Sequence, residues 1–389
     1  MRSRTILAVA VSAALAATTA ACGKDSDSPG SSGSEIVVGA SLEQSGPTAS
    51  IGNSYVKALQ LKAQQLNDSG TLGNRKIRLE IRDNRTDNAT SVSVINDLIK
   101  NEHVNALITG GCSACAVAAV PTITSAKMPT IALASASALT QPVGQRQFMF
   151  KISPNPDQDA AVVVDELKRK NIHKIGLISV NNVYGQDGAK SVTTLARQAG
   201  ITVSAAEQFG QADTNMTVQV QKIVATKPDA VVMWAVMPAA GIVVQELHDV
   251  HFAGRTYMDA GAGAELFVKG AGAAAEGTNM VFPKVLAAED IDTSTPEGAA
   301  QKAWVDAYQQ KDGAYSGFAS FAADALQMIV DAVTKTGGTD PAKLREAMET
   351  TRFDGLSGPL QFSAEQHSGL QPPALGILTV KQGQWRIAS

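Results

Sequence analysis

Residues 104–140 read VNALITGGCSACAVAAVPTITSAKMPTIALASASALT, and this stretch decides the fold. It opens on the apolar run Val104–Thr109, which two glycines, Gly110 and Gly111, bring to a stop. A helix pattern starts after them, close to Ser113. A second apolar run, Thr130–Leu133, leads into the small-residue turn ALASASALT. Strand, helix and strand in this order form the repeating unit of a parallel sheet, because two parallel strands need a crossover between them.

The alternation continues on both sides. Upstream, IVVGASL reads as a buried strand, and Val56, Leu59, Ala63 and Leu66 recur at helical spacing up to Gly70. KIRLEIRD alternates as a half-exposed strand, and Asn88 is placed to cap a helix whose apolar face is Val92, Ile95, Leu98 and Ile99. The pattern restarts after KISPNPDQ. Helices are predicted at Asp157–Lys170, Gly185–Ala199, Thr217–Ala225 and Ala239–Val250. Each leads to a strand, at Lys174–Val180, Val203–Ala206, Ala230–Trp234 and Thr256–Met258. The last third has helices at Pro296–Gln310, Ser320–Lys335 and Pro341–Thr350 but only the short strands GPLQF, LGILTV and QWRI, too few for a third sheet. It is expected to return and complete the first two. The predicted class is α/β: two doubly wound parallel-sheet lobes joined by a hinge of several crossover strands. Residues 35–154 with about 284–374 would form lobe 1, and 155–283 with about 375–389 lobe 2.

Composition narrows the function. The 389 residues exceed one compact core, and 44% hydrophobic with 18% charged residues fits a globular protein. Only 5% are aromatic and the net charge is −3 without a basic patch, which argues against nucleic acid. Five histidines, none beside a nucleophile motif, leave no enzyme constellation, and no cofactor motif is present.

The N-terminus reads as an export signal over residues 1–21: Arg2 and Arg4, then the apolar run Ile6–Ala17. TTAAC ends on Cys22 and resembles a bacterial lipobox, with Thr19 where that motif usually has leucine. Cys22 would then carry a lipid; the alternative is plain secretion with cleavage nearby. Residues 22–34, rich in Gly, Ser and Asp, read as a flexible tether. The body is expected at the outer face of the cytoplasmic membrane, where disulfides persist.

Five segments in this order resemble a known family: VVGASLEQSGPTASIG, GGCSACAVAAV, PTIALASASALT, VYGQDG and GLSGPLQFSAEQHSG. The chain is similar to the type I periplasmic-binding proteins of ABC importers, in the leucine/isoleucine/valine-binding branch, over nearly all of Glu35–Ser389. The resemblance implies a two-lobed, monomeric trap without catalysis, closing on a small ligand and recognised by permease and ATPase partners.

The same resemblance assigns ligand contacts. Ser113, at a helix mouth past a strand end, matches the serine that holds the ligand carboxylate; read from the residues alone it could equally be a plain N-cap. Ala134 matches a backbone carbonyl facing the amine. Ala136 stands where the family has threonine, so Ser135 or Ser137 would supply the hydroxyl. Tyr184 matches a tyrosine closing from the second lobe, and Phe318 an aromatic near the side-chain pocket. The family's ammonium-pairing glutamate aligns with Ala260, next to Asp259, and Ile51 and Val236 stand where the family has tyrosines. A ligand without an amine therefore stays open.

Cys112 and Cys115 are expected to form a short local disulfide that stiffens the turn presenting Ser113. A redox pair is the alternative, without the usual Gly-Pro or Pro-His centre. Zinc would need further ligands, and His248 and His251 lie in the other half of the chain. A ligand-sensing ectodomain and an extracellular thiol–disulfide protein remain as other functions.

Overall fold

The computed structural model describes residues 35–388. The export signal, Cys22 and the whole tether lie outside the described residues.

The first sheet contains β1 (Glu35–Leu42), β2 (Lys76–Asp83), β3 (Ala106–Thr109), β4 (Thr130–Ala132) and β5 (Met149–Lys151). All are parallel, in the order β2-β1-β3-β4-β5. Their crossovers are α1 (Ala49–Asp68), α2 (Asn88–Lys100) and α3 (Ser113–Ser125). In β1, Ile36, Val38, Ala40 and Leu42 point into one apolar layer with Leu59 of α1. Val37 points into the other, with Ile95 and Leu98 of α2. A strand covered on both faces reads as a continuous apolar run, which is why IVVGASL shows no alternation. The α2 cap is Asp87, one residue before Asn88; its side chain accepts the Thr90 N–H at 2.8 Å.

The second half runs α4 (Pro156–Arg169), β6 (Lys174–Val180), α5 (Val183–Gln198), β7 (Thr202–Phe209), α6 (Thr217–Ala225), β8 (Ala230–Trp234), α7 (Ala239–Asp249), β9 (Arg255–Met258), α8 (Glu265–Ala271) and β10 (Asn279–Pro283). The tail adds α9 (Pro296–Asp312), α10 (Phe318–Thr336), α11 (Pro341–Glu349), β11 (Arg352–Gly355), β12 (Gly358–Gln361), β13 (Leu375–Lys381) and β14 (Gln384–Ile387). The second sheet has the order β14-β13-β10-β9-β8-β6-β7.

Two features differ from the expected pattern. The second sheet is parallel only from β7 to β10; β13 runs antiparallel to β10, and β14 to β13. The β13–β14 turn, Gln382–Gly383, has positive φ at both residues, the two-residue geometry that reverses a chain into an antiparallel neighbour. GPLQF joins neither sheet: β12 pairs with β11, and the hairpin is held by Asp324 of α10, which accepts the N–H groups of Leu356 and Ser357 at 2.8 Å each. The tail reaches the first sheet instead through residues 367–369. There the Lys151 N–H donates to the His367 carbonyl and the Gly369 N–H to the Lys151 carbonyl, both at 2.8 Å. With α10 packed on α1, the chain passes between the halves after β5, after β10 and before β13.

Gly185 shows how tightly the β6–α5 turn is made: a Cβ there would lie 1.8 Å from the Val180 carbonyl oxygen. Gly185→Ala is expected to lower unfolding stability by about 3 kcal/mol through forced backbone movement. An unchanged urea midpoint would contradict this.

Candidate functional site

The strand ends of both sheets converge on one cleft of about 660 Å³, its mouth included. Thr48, Ile51 and Tyr55 follow β1, Gly111–Ala114 follow β3, and Leu133–Ser135 follow β4. From the other half, Tyr184 follows β6, Val236 follows β8, and Asp259–Gly261 follow β9. Placing a site outside the carboxyl ends of the strands is the rule for open α/β sheets, because helix starts and loop amides gather there.

At the first wall α3 begins. Cys112 is its N-cap, and Cys112 and Cys115 are bonded through their sulfurs with Cα atoms 5.3 Å apart. The Cys112 Sγ accepts the Cys115 N–H at 3.2 Å. Ser113 and Ala114 follow in the first turn, where backbone N–H groups lack helical partners. Ser113 Oγ accepts the Ala136 N–H at 3.3 Å.

Beneath this turn lies Glu43, only 1% exposed, at the end of β1. Its carboxyl group accepts the N–H groups of Gly111 and Cys112 at 3.0 and 3.2 Å and the Asn84 amide at 3.0 Å. Burial raises its pKa, against the pull of these hydrogen bonds. Gly110 is required here, since a Cβ would stand 2.3 Å from the Glu43 carboxylate.

The opposite wall is acidic. Asp259, 1% exposed, accepts a hydrogen bond from the Tyr184 hydroxyl on Oδ2 and from the Ala235 N–H at 3.3 Å on Oδ1. Burial raises its pKa to about 7, while the bonds from Tyr184, Ala235 and Gly261 favour the charged form. Burial and the Asp259 charge hold the Tyr184 phenol well above its usual range, so it stays a donor. Gly261 permits the pair, since a Cβ there would lie 2.4 Å from the Tyr184 hydroxyl. Behind Asp259 sits buried Asp159 of α4, pushed well above the carboxylate range first by burial and then by Asp259. Two adjacent buried acids do not both ionise readily, and the hydrogen bonds single out Asp259 as the one to carry the charge.

The third side is apolar: Ile51, Leu133, Val236, Phe318 and Phe321, with Tyr55 edge-on to Phe318 at 6.1 Å.

The structure therefore brings Ser113, Ala134, Ser135, Tyr184, Asp259, Phe318 and Ile51 to one cavity. Ala136 is not among its lining residues; it is fully buried and reaches the site only through its N–H on Ser113. The Ala134 carbonyl already accepts the Ser153 hydroxyl at 2.6 Å. Sequence reasoning missed Glu43, Tyr55 and Ser153. The one signal for Glu43 was an acid at the end of an otherwise apolar strand, IVVGASLE. Among the described residues no cluster of three or more His, Cys, Asp or Glu is arranged to hold a metal, and no helix is long and apolar enough to cross a membrane.

Comparison with known proteins agrees with this architecture. An amino acid binding protein of Pseudomonas aeruginosa is 23% identical, over 91% of this chain and 90% of its own length. A branched-chain amino acid transporter substrate binding protein from Streptococcus pneumoniae, solved with isoleucine, superposes with a TM-score of 0.80 at 24% identity, covering 91% of this chain and 99% of that one. A solute binding protein of an ABC transporter from Rhodopseudomonas palustris, solved with 3,4-dihydroxybenzoic acid, gives 0.81 at 20% identity, covering 90% and 95%. The profile described as periplasmic binding protein matches residues 35–384, so the chain belongs to the periplasmic binding protein family.

Proposed function

We propose that this protein captures an α-amino acid with an apolar side chain and delivers it to an ABC importer. The observation that carries the reading is the placement of Asp259 across the cleft from the α3 mouth at Ser113, with apolar residues on the third side. A carboxylate suits the free N–H groups of Ser113 and Ala114, an ammonium suits Asp259, and an aliphatic or aromatic side chain suits Ile51, Val236 and Phe318. The Pseudomonas relative and the isoleucine-bound neighbour support the amino-acid reading.

Residues 35–154 with 284–374 form one moving body, and 155–283 with 375–389 the other. The protein acts as a monomer, held at the outer face of the cytoplasmic membrane by a lipid on Cys22, and the closed form is what the permease and its ATPase recognise.

Thermal-shift screening across amino acids tests the reading, because a ligand that binds only the folded form raises the melting temperature by mass action. Ser113→Ala is expected to weaken the amino acid that shifts most at least tenfold, since it keeps the backbone N–H but removes the Ser113 hydroxyl, whose hydrogen bond to the charged carboxylate contributes about 1.5–3 kcal/mol. Equal affinity in Ser113→Ala and the unaltered protein, by calorimetry, would remove the Ser113 hydroxyl from the site.

A further inference from the structure

The loop after β4 is held at four consecutive residues. The Ser153 hydroxyl donates to the Ala134 carbonyl at 2.6 Å, and the Lys151 ammonium to the Ser135 carbonyl at 2.6 Å. The Ala136 N–H donates to Ser113 Oγ at 3.3 Å, and the Ser137 N–H to Asp187 Oδ2 at 2.8 Å. Three of these partners stand on the first sheet's own elements or on the strand leaving it. The fourth does not: Asp187 belongs to α5 of the second half, three residues after Tyr184.

Ser137 opens a short 3-10 turn, Ser137–Leu139, so its N–H has no partner within the turn. A carboxylate aimed at it forms a charge-assisted hydrogen bond, stronger than a neutral one. Lys151 lies close enough to Asp187 for their charges to interact, and its ammonium also bonds the Asn155 side chain, the N-cap of α4. One helix thus presents Tyr184 to Asp259 and, one turn on, reaches over the cleft to close the loop that carries Ala134 and Ser135.

We infer that Asp187 is a positioning residue for ligand capture: it fixes the 134–137 loop, whose Ala134 and Ser135 line the cleft, only when the two halves meet, and so couples closure to the shape of the site. The inference rests on the ligand-capture reading above. When the halves part, the Ser137 N–H loses its only partner outside its own lobe, while the other three bonds persist.

Hydrogen exchange of the full chain, read by mass spectrometry on peptides spanning residues 134–140, tests this on the protein held closed by the amino acid that raises its melting temperature most. Ser137 is expected to exchange slowly in the unaltered protein, at least tenfold faster in Asp187→Ala, and near the unaltered rate in Asp187→Asn, whose amide oxygen still accepts. Peptides from α2 should be identical in all three, which controls for folding. Equal Ser137 exchange in all three proteins, fast or slow, would overturn the inference. Acceleration in Asp187→Asn as large as in Asp187→Ala would also overturn it, because damage to α5 rather than a lost acceptor would then be the cause. Melting temperatures of the same three proteins with amino acids report on ligand capture separately: if no amino acid stabilises any of them, that reading fails whatever the exchange shows.

Discussion

Asp259→Asn is expected to weaken an α-amino acid ligand about 100-fold while leaving the fold intact. Truncating one partner of a buried, hydrogen-bonded charge pair costs about 2–5 kcal/mol, and about 3 kcal/mol corresponds to that factor. Asparagine keeps one oxygen for the Ala235 N–H, and its NH2 group can donate to the Tyr184 hydroxyl oxygen once that hydroxyl turns its proton away, so the local structure has little reason to move. The pH profile makes the prediction sharper. With a pKa raised to about 7 by burial, Asp259 is charged above that pH and neutral below it. Affinity for an ammonium ligand should therefore be flat above pH 7 and fall roughly tenfold per unit below it. The slope should vanish in Asp259→Asn. Calorimetry between pH 5.5 and 8.5 on both proteins reads it. A ligand without an amine, such as an aromatic carboxylate, gives the opposite pattern: Asp259→Asn would leave its affinity unchanged or improve it.

The second large effect belongs to Glu43. Glu43→Ala leaves the half-buried N–H of Gly111, the buried N–H of Cys112 and the Asn84 amide without an acceptor and opens a cavity beneath the turn that presents Ser113. Each unsatisfied buried donor costs about 1–3 kcal/mol. A loss of about 4 kcal/mol, or a melting temperature lower by roughly 5 °C for a body of this size, is expected. Glu43→Gln keeps the shape and one acceptor oxygen and should lose less than half as much. Its sign with pH follows from the raised pKa. The folded state holds the Glu43 proton more tightly than the unfolded chain does. Unaltered protein therefore loses stability from this group as pH rises from the ordinary carboxylate range through the folded pKa. Glu43→Gln, which cannot titrate, should gain on it over that interval. Parallel pH dependence in the two proteins, by thermal melting, would mean that Glu43 is not held as described.

The alternation of apolar runs and helix patterns was enough to read two sheets, because strands covered on both faces leave an unbroken apolar signature that turns delimit. Strand direction was not in that pattern. LGILTV and QWRI read as strands either way, and the positive φ values at Gln382 and Gly383 set them antiparallel. Ser113 was legible as a polar residue at a helix mouth past an apolar run, whereas Tyr184 and Asp259 were reached only through the family resemblance. Choosing Asp259 over Ala260 needed the Tyr184 contact, which spans 75 residues. Glu43 was hidden for the same reason. Its amide partner Gly111 lies 68 residues away, and nothing local tells a buried acid from one in an exposed loop. Ala136 was a candidate because it stands where the family has threonine, but only its backbone reaches the site. Lys151, the first residue of KISPNPDQ, carried no signal of a role. Its buried ammonium, with a pKa lowered to about 7 mainly by burial, ties the Ser135 carbonyl to the start of α4.

The measurement that tests the account most directly is a crystal structure of the protein grown with the amino acid that stabilises it most. The ligand should lie between the halves, its carboxylate on Ser113 and Ala114 and its ammonium within hydrogen-bond distance of Asp259. A ligand lodged elsewhere, or one in the cleft with Asp259 facing no cation, would contradict it.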